Sequence, residues 1–418
     1  MRAAFVLAGA CIAVAGCAVK PTPVTSAERL VDAARLLAAG GLEQALELVR
    51  SVRAAEPKLA AAAHWSATLA IMTWRDDEAI AELTAAVRLS TADRDALRGQ
   101  LGDLLFAAGR WGESIAPLQA GATAGDGERR RAFAAIAMLL PSTRQPQGPL
   151  VTEQPLLPGE TPEFVCGIGG RQRPFAIDTG TSMTTLGRSF AQELAVLSAR
   201  PAGSALDGAG RQLAIEVGML TSFAIGDVEM GATPVLIVDD AALRLRDLHG
   251  GPERVPRGVI GLDLLGAVRL TLDPERGSVV LEAPRGLPES QSVQCVRADG
   301  RCLVPVTIDD VRLWFVLDTG ASHSSLSEAG LAVLPGGASR AQPTFRRVRT
   351  VGGGLLAVRE VRDLVLRCSE ARFLGVTLPV VHRGPSGGFP VHGVLGLDLL
   401  RQCLGTLDRG RVRLVARE

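Results

Sequence analysis

The chain has 418 residues, a hydrophobic content of 47% and a net charge of +1. That length exceeds one ordinary core and predicts two or three domains, while the hydrophobic content excludes a disordered chain. Its 45 Lys and Arg residues are spread without a basic block, which argues against a nucleic-acid partner.

The N-terminus reads as a targeting segment, set apart from the fold. Arg2 precedes an apolar stretch, Ala3 to Ala15, that is too short to span a bilayer as a permanent helix. The stretch ends in Val14-Ala15-Gly16-Cys17, which resembles the bacterial lipobox. The resemblance implies a lipoprotein signal peptide over residues 1–16, lipidation of Cys17 and a tether over 17–25. It places the protein on the periplasmic face of a bacterial membrane. Ala18, with no Asp after the lipidated cysteine, implies the outer membrane. Such a compartment permits disulfides. Asp299-Gly300 is a hairpin-turn signal between Cys295 and Cys302, compatible with a cross-strand bridge, and Cys368 with Cys403 is a weaker pairing. Cys166 would be left over. No Cys or His cluster has metal-ligand spacing, so neither a metal nor another cofactor is expected.

Residues 26–140 are rich in Ala and Leu, helical in period, and repetitive. Leu37 to Leu46 corresponds to Ile71 to Ile80 and to Phe106 to Ile115. The small residues Ala45, Ala79 and Ser114 stand 34 and 35 apart, and Ala33, Ala67 and Gly102 keep the same period. This pattern resembles the tetratricopeptide repeat in about three degenerate copies. It implies paired helices whose stacked surface could take a protein partner. A rigid spacer is the alternative reading.

A Pro- and Gly-containing linker is expected at 141–158, followed by two β-rich halves, 159–286 and 287–418. The halves repeat one plan. Phe164 to Ile177 aligns without gaps on Val304 to Leu317, each segment carrying a turn signal (Gly169-Gly170, Asp309-Asp310). Each runs into an Asp-Thr-Gly triplet, at Asp178-Thr179-Gly180 and Asp318-Thr319-Gly320. About 80 residues later comes a box, Gly258-Val259-Ile260-Gly261-Leu262-Asp263-Leu264-Leu265 or Gly393-Val394-Leu395-Gly396-Leu397-Asp398-Leu399-Leu400. A closing hairpin ends each half.

These residues resemble the retropepsin-like aspartic proteases, whose pepsin-like relatives also carry two such halves in one chain. The resemblance spans about residues 155–418 and implies a bilobal all-β acid-protease fold behind the all-α repeat region. Asp178 and Asp318 would form one intramolecular dyad that activates a water against a protein or peptide bond. Two close carboxylates sharing one proton suit that task, because like charges held together cannot both ionise. Thr179 and Thr319 would bond across the pseudo-twofold axis, and Gly180 and Gly320 would admit close backbone approach. Thr181 stands where the second half has Ala321, so a Thr181 hydroxyl bond would favour the ionised form of Asp178. The family's covering hairpin, or flap, would fall at Gly208 and Gly210 in one half and at Gly352 and Gly353 in the other. The absence of Tyr departs from the pepsin flap. Asp263 and Asp398 are read as first-turn residues of short helices. A non-catalytic lipoprotein adaptor, binding partners through the repeats, is the competing reading.

Overall fold

A computed structural model describes residues 25–417, apart from 124–125, 145–150, 160, 207–211, 244–255, 351–352 and 383–387. The signal peptide, Cys17 and nearly all of the tether therefore lie outside the described residues, as do Gly208, Gly210 and Gly352.

Among the described residues seven α-helices come first: α1 (Ser26–Ala38), α2 (Leu42–Ala55), α3 (Ala60–Met72), α4 (Asp76–Leu89), α5 (Arg94–Ala107), α6 (Trp111–Ala120) and α7 (Gly127–Ala137). The leading helices of the three pairs start at residues 26, 60 and 94, a step of 34. Ala33, Ala45, Ala67, Ala79 and Ser114 are fully buried, so paired helices meet over small side chains. At Gly102 an added Cβ would lie 2.7 Å from the backbone nitrogen of Leu118. Each intra-pair turn has a left-handed residue at the same repeat position: Gly40, Trp74 and Gly109, with φ of +82°, +61° and +74°. Glycine takes that conformation freely, whereas Trp74 does so under strain. Its ring packs on Gly410 and Gly266 and lies under the Arg297 guanidinium at 4.6 Å, contacts that hold the strained turn.

Among the described residues the β-rich region forms three sheets. The nine-stranded sheet of the first half places the strand Arg171–Ile177 between Glu163–Ile168 and the box strand Gly258–Ile260. The eight-stranded sheet of the second half places Val311–Leu317 between Arg301–Ile308 and Gly393–Leu395 in the same way. In both halves the box strand pairs parallel to the strand before the triplet. Between the halves, the closing hairpins join in one six-stranded sheet. Leu270 pairs with Leu407, Thr271 with Thr406 and Leu272 with Gly405. The sheet also takes in Val151–Pro155, which pairs with Ser278–Glu282. Composition assigns Val151–Pro155 to the linker. It is a strand because it covers an otherwise open edge of the shared sheet.

Alternation divides each half's strands between two apolar clusters. Phe175, Ile177 and Ile260, with Phe315, Leu317 and Leu395, point into the main β core. Ala176 and Val259 point the other way, into a cluster shared with α5–α7. Val316 and Val394 do likewise into a cluster shared with α1–α3. The helical region is thus packed on both halves. Its three turns form a row of docking points: the Trp314 indole N–H donates to Gly40 O at 3.3 Å, Trp74 meets Gly410 and Gly266, and Gly109 abuts Arg144, which donates to Asp263 O.

All five cysteines of the described residues are buried free thiols. Cys295 and Cys302 are not bridged: the hairpin register sets Arg297 opposite Cys302, and the two thiols lie in side-chain hydrogen-bonding contact. Cys368 and Cys403 are likewise unpaired.

Candidate active site

Each triplet is a loop at the end of a strand buried on both faces. Its backbone continues the parallel ladder, with Asp178 N donating to Ile260 O and Asp318 N to Leu395 O, both at 3.1 Å. The two loops face each other and exchange a symmetric set of bonds. Thr179 N donates to the Thr319 hydroxyl at 3.0 Å, and Thr319 N donates to the Thr179 hydroxyl at 3.1 Å. The Thr179 hydroxyl donates onward to Leu317 O at 2.8 Å, and that of Thr319 to Ile177 O at 2.7 Å. Both threonines are buried, so every one of these polar groups is satisfied without water.

This crossing brings Asp178 and Asp318 together. A Cβ added to Gly180 would lie 2.6 Å from the Asp318 carboxyl carbon, and one on Gly320 would lie 2.7 Å from that of Asp178. Each carboxylate therefore rests over the other loop's glycine, a space that no larger residue leaves open. Each also accepts from the amide two residues on, Gly180 N at 2.8 Å and Gly320 N at 2.9 Å.

Burial raises the Asp178 pKa to about 7, with the Asp318 charge as the second cause, against the lowering effect of the Gly180 and Thr181 amides. The pair thereby holds a proton to higher pH than a solvated aspartate would. The expected hydroxyl bond from Thr181 is not formed among the described residues. The Thr181 amide acts on the carboxylate instead, and burial outweighs it. Thr181 and Ala321 flank the site as their positions imply: the Thr181 O accepts from Leu262 N at 3.0 Å and Ala321 O from Leu397 N at 2.9 Å.

A second symmetric lock lies behind the first, and the first-turn reading of Asp263 and Asp398 misses it. Both do occupy first turns, in the helices Leu262–Leu265 and Leu397–Leu400. Their work, however, is to hold the triplet loops. Asp263 Oδ1 accepts from Thr184 N at 2.8 Å and the Thr184 hydroxyl at 2.9 Å. Asp398 Oδ1 accepts from Ser324 N and the Ser324 hydroxyl, both at 2.7 Å. The same hydroxyls accept from the box glycines, Gly261 N at 3.3 Å and Gly396 N at 2.9 Å. The signal was a hydroxyl residue six places after each aspartate, recurring in both halves.

The flap candidates are only partly placed. Leu197–Leu206 pairs with Gln212–Leu220 around 207–211, and Gln342–Thr350 pairs with Gly353–Cys368, with Thr350 opposite Gly353. Both segments are hairpins, and Gly353 opens the returning strand of the second.

Two segments of the chain, residues 165–264 and 304–399, match the family model described as aspartyl protease. Each segment contains one triplet and all but the last residue of one box. Among solved structures, the aspartic proteinase from Irpex lacteus is similar at 13% identity over 64% of this chain and 98% of that one, with a TM-score of 0.42. A retropepsin-like aspartic protease from Rickettsia conorii is similar at 19% identity over 33% of this chain and 94% of that one, with a TM-score of 0.23. No curated protein matches the chain.

Proposed function

We propose that this chain is an aspartic endopeptidase whose single dyad is Asp178 with Asp318. The observation that carries the reading is the reciprocal packing of each carboxylate over the opposite glycine, locked by the Thr179–Thr319 exchange. In this arrangement the ionised aspartate takes a proton from a water, whose oxygen attacks the scissile carbonyl. The protonated partner gives its proton to the carbonyl oxygen. Collapse of the tetrahedral species then breaks the C–N bond as the amine takes up a proton. The pair needs neither a covalent intermediate nor a metal to balance these transfers. A protein or peptide substrate is favoured by the two family-matched segments and by hairpins able to pair with an extended chain.

The N-terminal sequence supports a wider setting. Lipidation at Cys17 would tether the enzyme to the periplasmic face of the outer membrane, with the helices between anchor and catalytic region. A soluble form beginning at Ala18, incubated with a diverse peptide library from pH 4 to 7, tests the reading. Cleavage at defined bonds by the parent and none by Asp178→Asn or Asp318→Asn is the expected result. Cleavage that persists in either variant refutes the shared dyad, and no cleavage at any pH, either by the parent or by a chain whose helical contacts have been reversed, refutes the peptidase.

A further inference from the structure

In each half, the face of the sheet that leads to the aspartate is already occupied. Across the first sheet, Val217, Leu236, Thr185, Val259 and Ala176 stand in one cross-strand row. Asp178 follows Ala176 by two places, in the same alternation. Of its apolar members, Val217, Val259 and Ala176 lie in one cluster with Phe133 and Ile136 of α7 and Trp111 of α6, and Leu236 packs against it. The second half repeats the arrangement. Val296, Leu303, Val316 and Val394 form a row that leads to Asp318, and it clusters with α1–α3. Ala321, next to the second triplet, is 1% exposed within that same cluster. An extended peptide lying across both carboxylates would need these apolar faces as its walls. Helices of the same chain cover them.

We infer that the helical region is a displaceable cover, seated on the apolar walls of the dyad, and that substrate gains the site only when it shifts. The inference rests on the peptidase reading. The cover is held by the apolar clusters that α1–α3 and α5–α7 share with the two sheets, and by a few polar contacts at the second half that a substitution can reverse without touching those clusters. Arg297 donates to Ile71 O at 3.1 Å and pairs with Asp76, and Arg312 stands 3.5 Å from Glu43. On the helical side, Asp76 and Glu43 are partly exposed, so changing them leaves the β core and the dyad intact.

The test uses the whole soluble chain with Asp76→Arg and Glu43→Arg together, which sets like charges against Arg297 and Arg312. A matched variant adds Arg297→Asp and Arg312→Glu to restore complementarity. Two readouts are taken: maleimide labelling of a Val316→Cys reporter, and kcat/KM on a peptide. The expected result is labelling and kcat/KM both raised at least tenfold by the charge reversal, and both returned to the parent level by the restoring pair. Labelling equally fast in the parent, or equally slow in the reversed variant, overturns the displaceable cover. Faster labelling with lower kcat/KM also overturns it, because the helices would then support the site. Labelling that responds as expected while no variant cleaves any peptide upholds the cover and refutes the peptidase reading.

Discussion

At the scale of single residues, the site depends on where charge is left after burial. Asp178 is 6% exposed and its pKa is raised to about 7. Below pH 3.8, the ordinary aspartate value, folded and unfolded chains both hold this proton. Above it the unfolded chain releases the proton while the folded chain keeps it, so stability declines as pH rises from about 4 to about 7. Asp178→Asn removes that decline. Urea unfolding should show parent and variant nearly equal at pH 4 and the variant more stable at pH 7, by up to about 4 kcal/mol. A gap of the same size at both pH values would contradict the raised pKa. The same proton sets the alkaline limb of activity, which should fall as pH passes about 7 and the general acid is lost.

At the scale of elements, the site is held by backbone contacts that only particular residues allow. A Cβ added to Gly396 would lie 2.6 Å from the His323 carbonyl carbon, in the loop that follows the second triplet. Gly396→Ala must therefore push the box strand and the triplet loop apart, at a cost of about 1–3 kcal/mol. The displaced loop carries Asp318, so kcat should fall by roughly 10²-fold with little change in KM. Gly405→Ala is the control, because the nearest atom to its added Cβ is a Leu414 methyl at 3.4 Å. Equal kcat in the two variants would show that the box strand does not position the triplet. Much of this was legible in the sequence because a duplication displays its constraints twice: triplet, box and closing hairpin each recur. The Thr184–Asp263 and Ser324–Asp398 locks recur as well, yet Thr and Ser differ in name while sharing the hydroxyl that matters. The strand Val151–Pro155 has a counterpart in Val293–Gln294 at the other edge of the shared sheet, but no recurring motif marks either segment. Each pairs with the closing hairpin of its own half, across more than 100 residues of chain.

At the scale of the whole molecule, two repeat systems meet face to face. The 34-residue step of the helices sets a row of left-handed turns, and the β duplication supplies a docking point at each half and one between them. Helical period and small-residue spacing could be read from the chain alone. The docking could not, because it is carried by outward residues such as Trp314 and Arg297, whose partners lie more than 200 positions away. Even the strained Trp74 looks like an ordinary repeat-turn substitution until Gly410 and Gly266 are placed against it.

The central claim is that Asp178 and Asp318 act as one unit, and a double-mutant comparison of kcat/KM tests it most directly. Asp178→Asn, Asp318→Asn and the double variant would be assayed on one cleaved peptide at the pH optimum of the parent. Residues that act together lose their function together. The account predicts that each single substitution lowers kcat/KM by at least about 10³-fold and that the double variant falls no further. Substantial activity in either single variant, or losses that multiply in the double, would mean that the two carboxylates work apart.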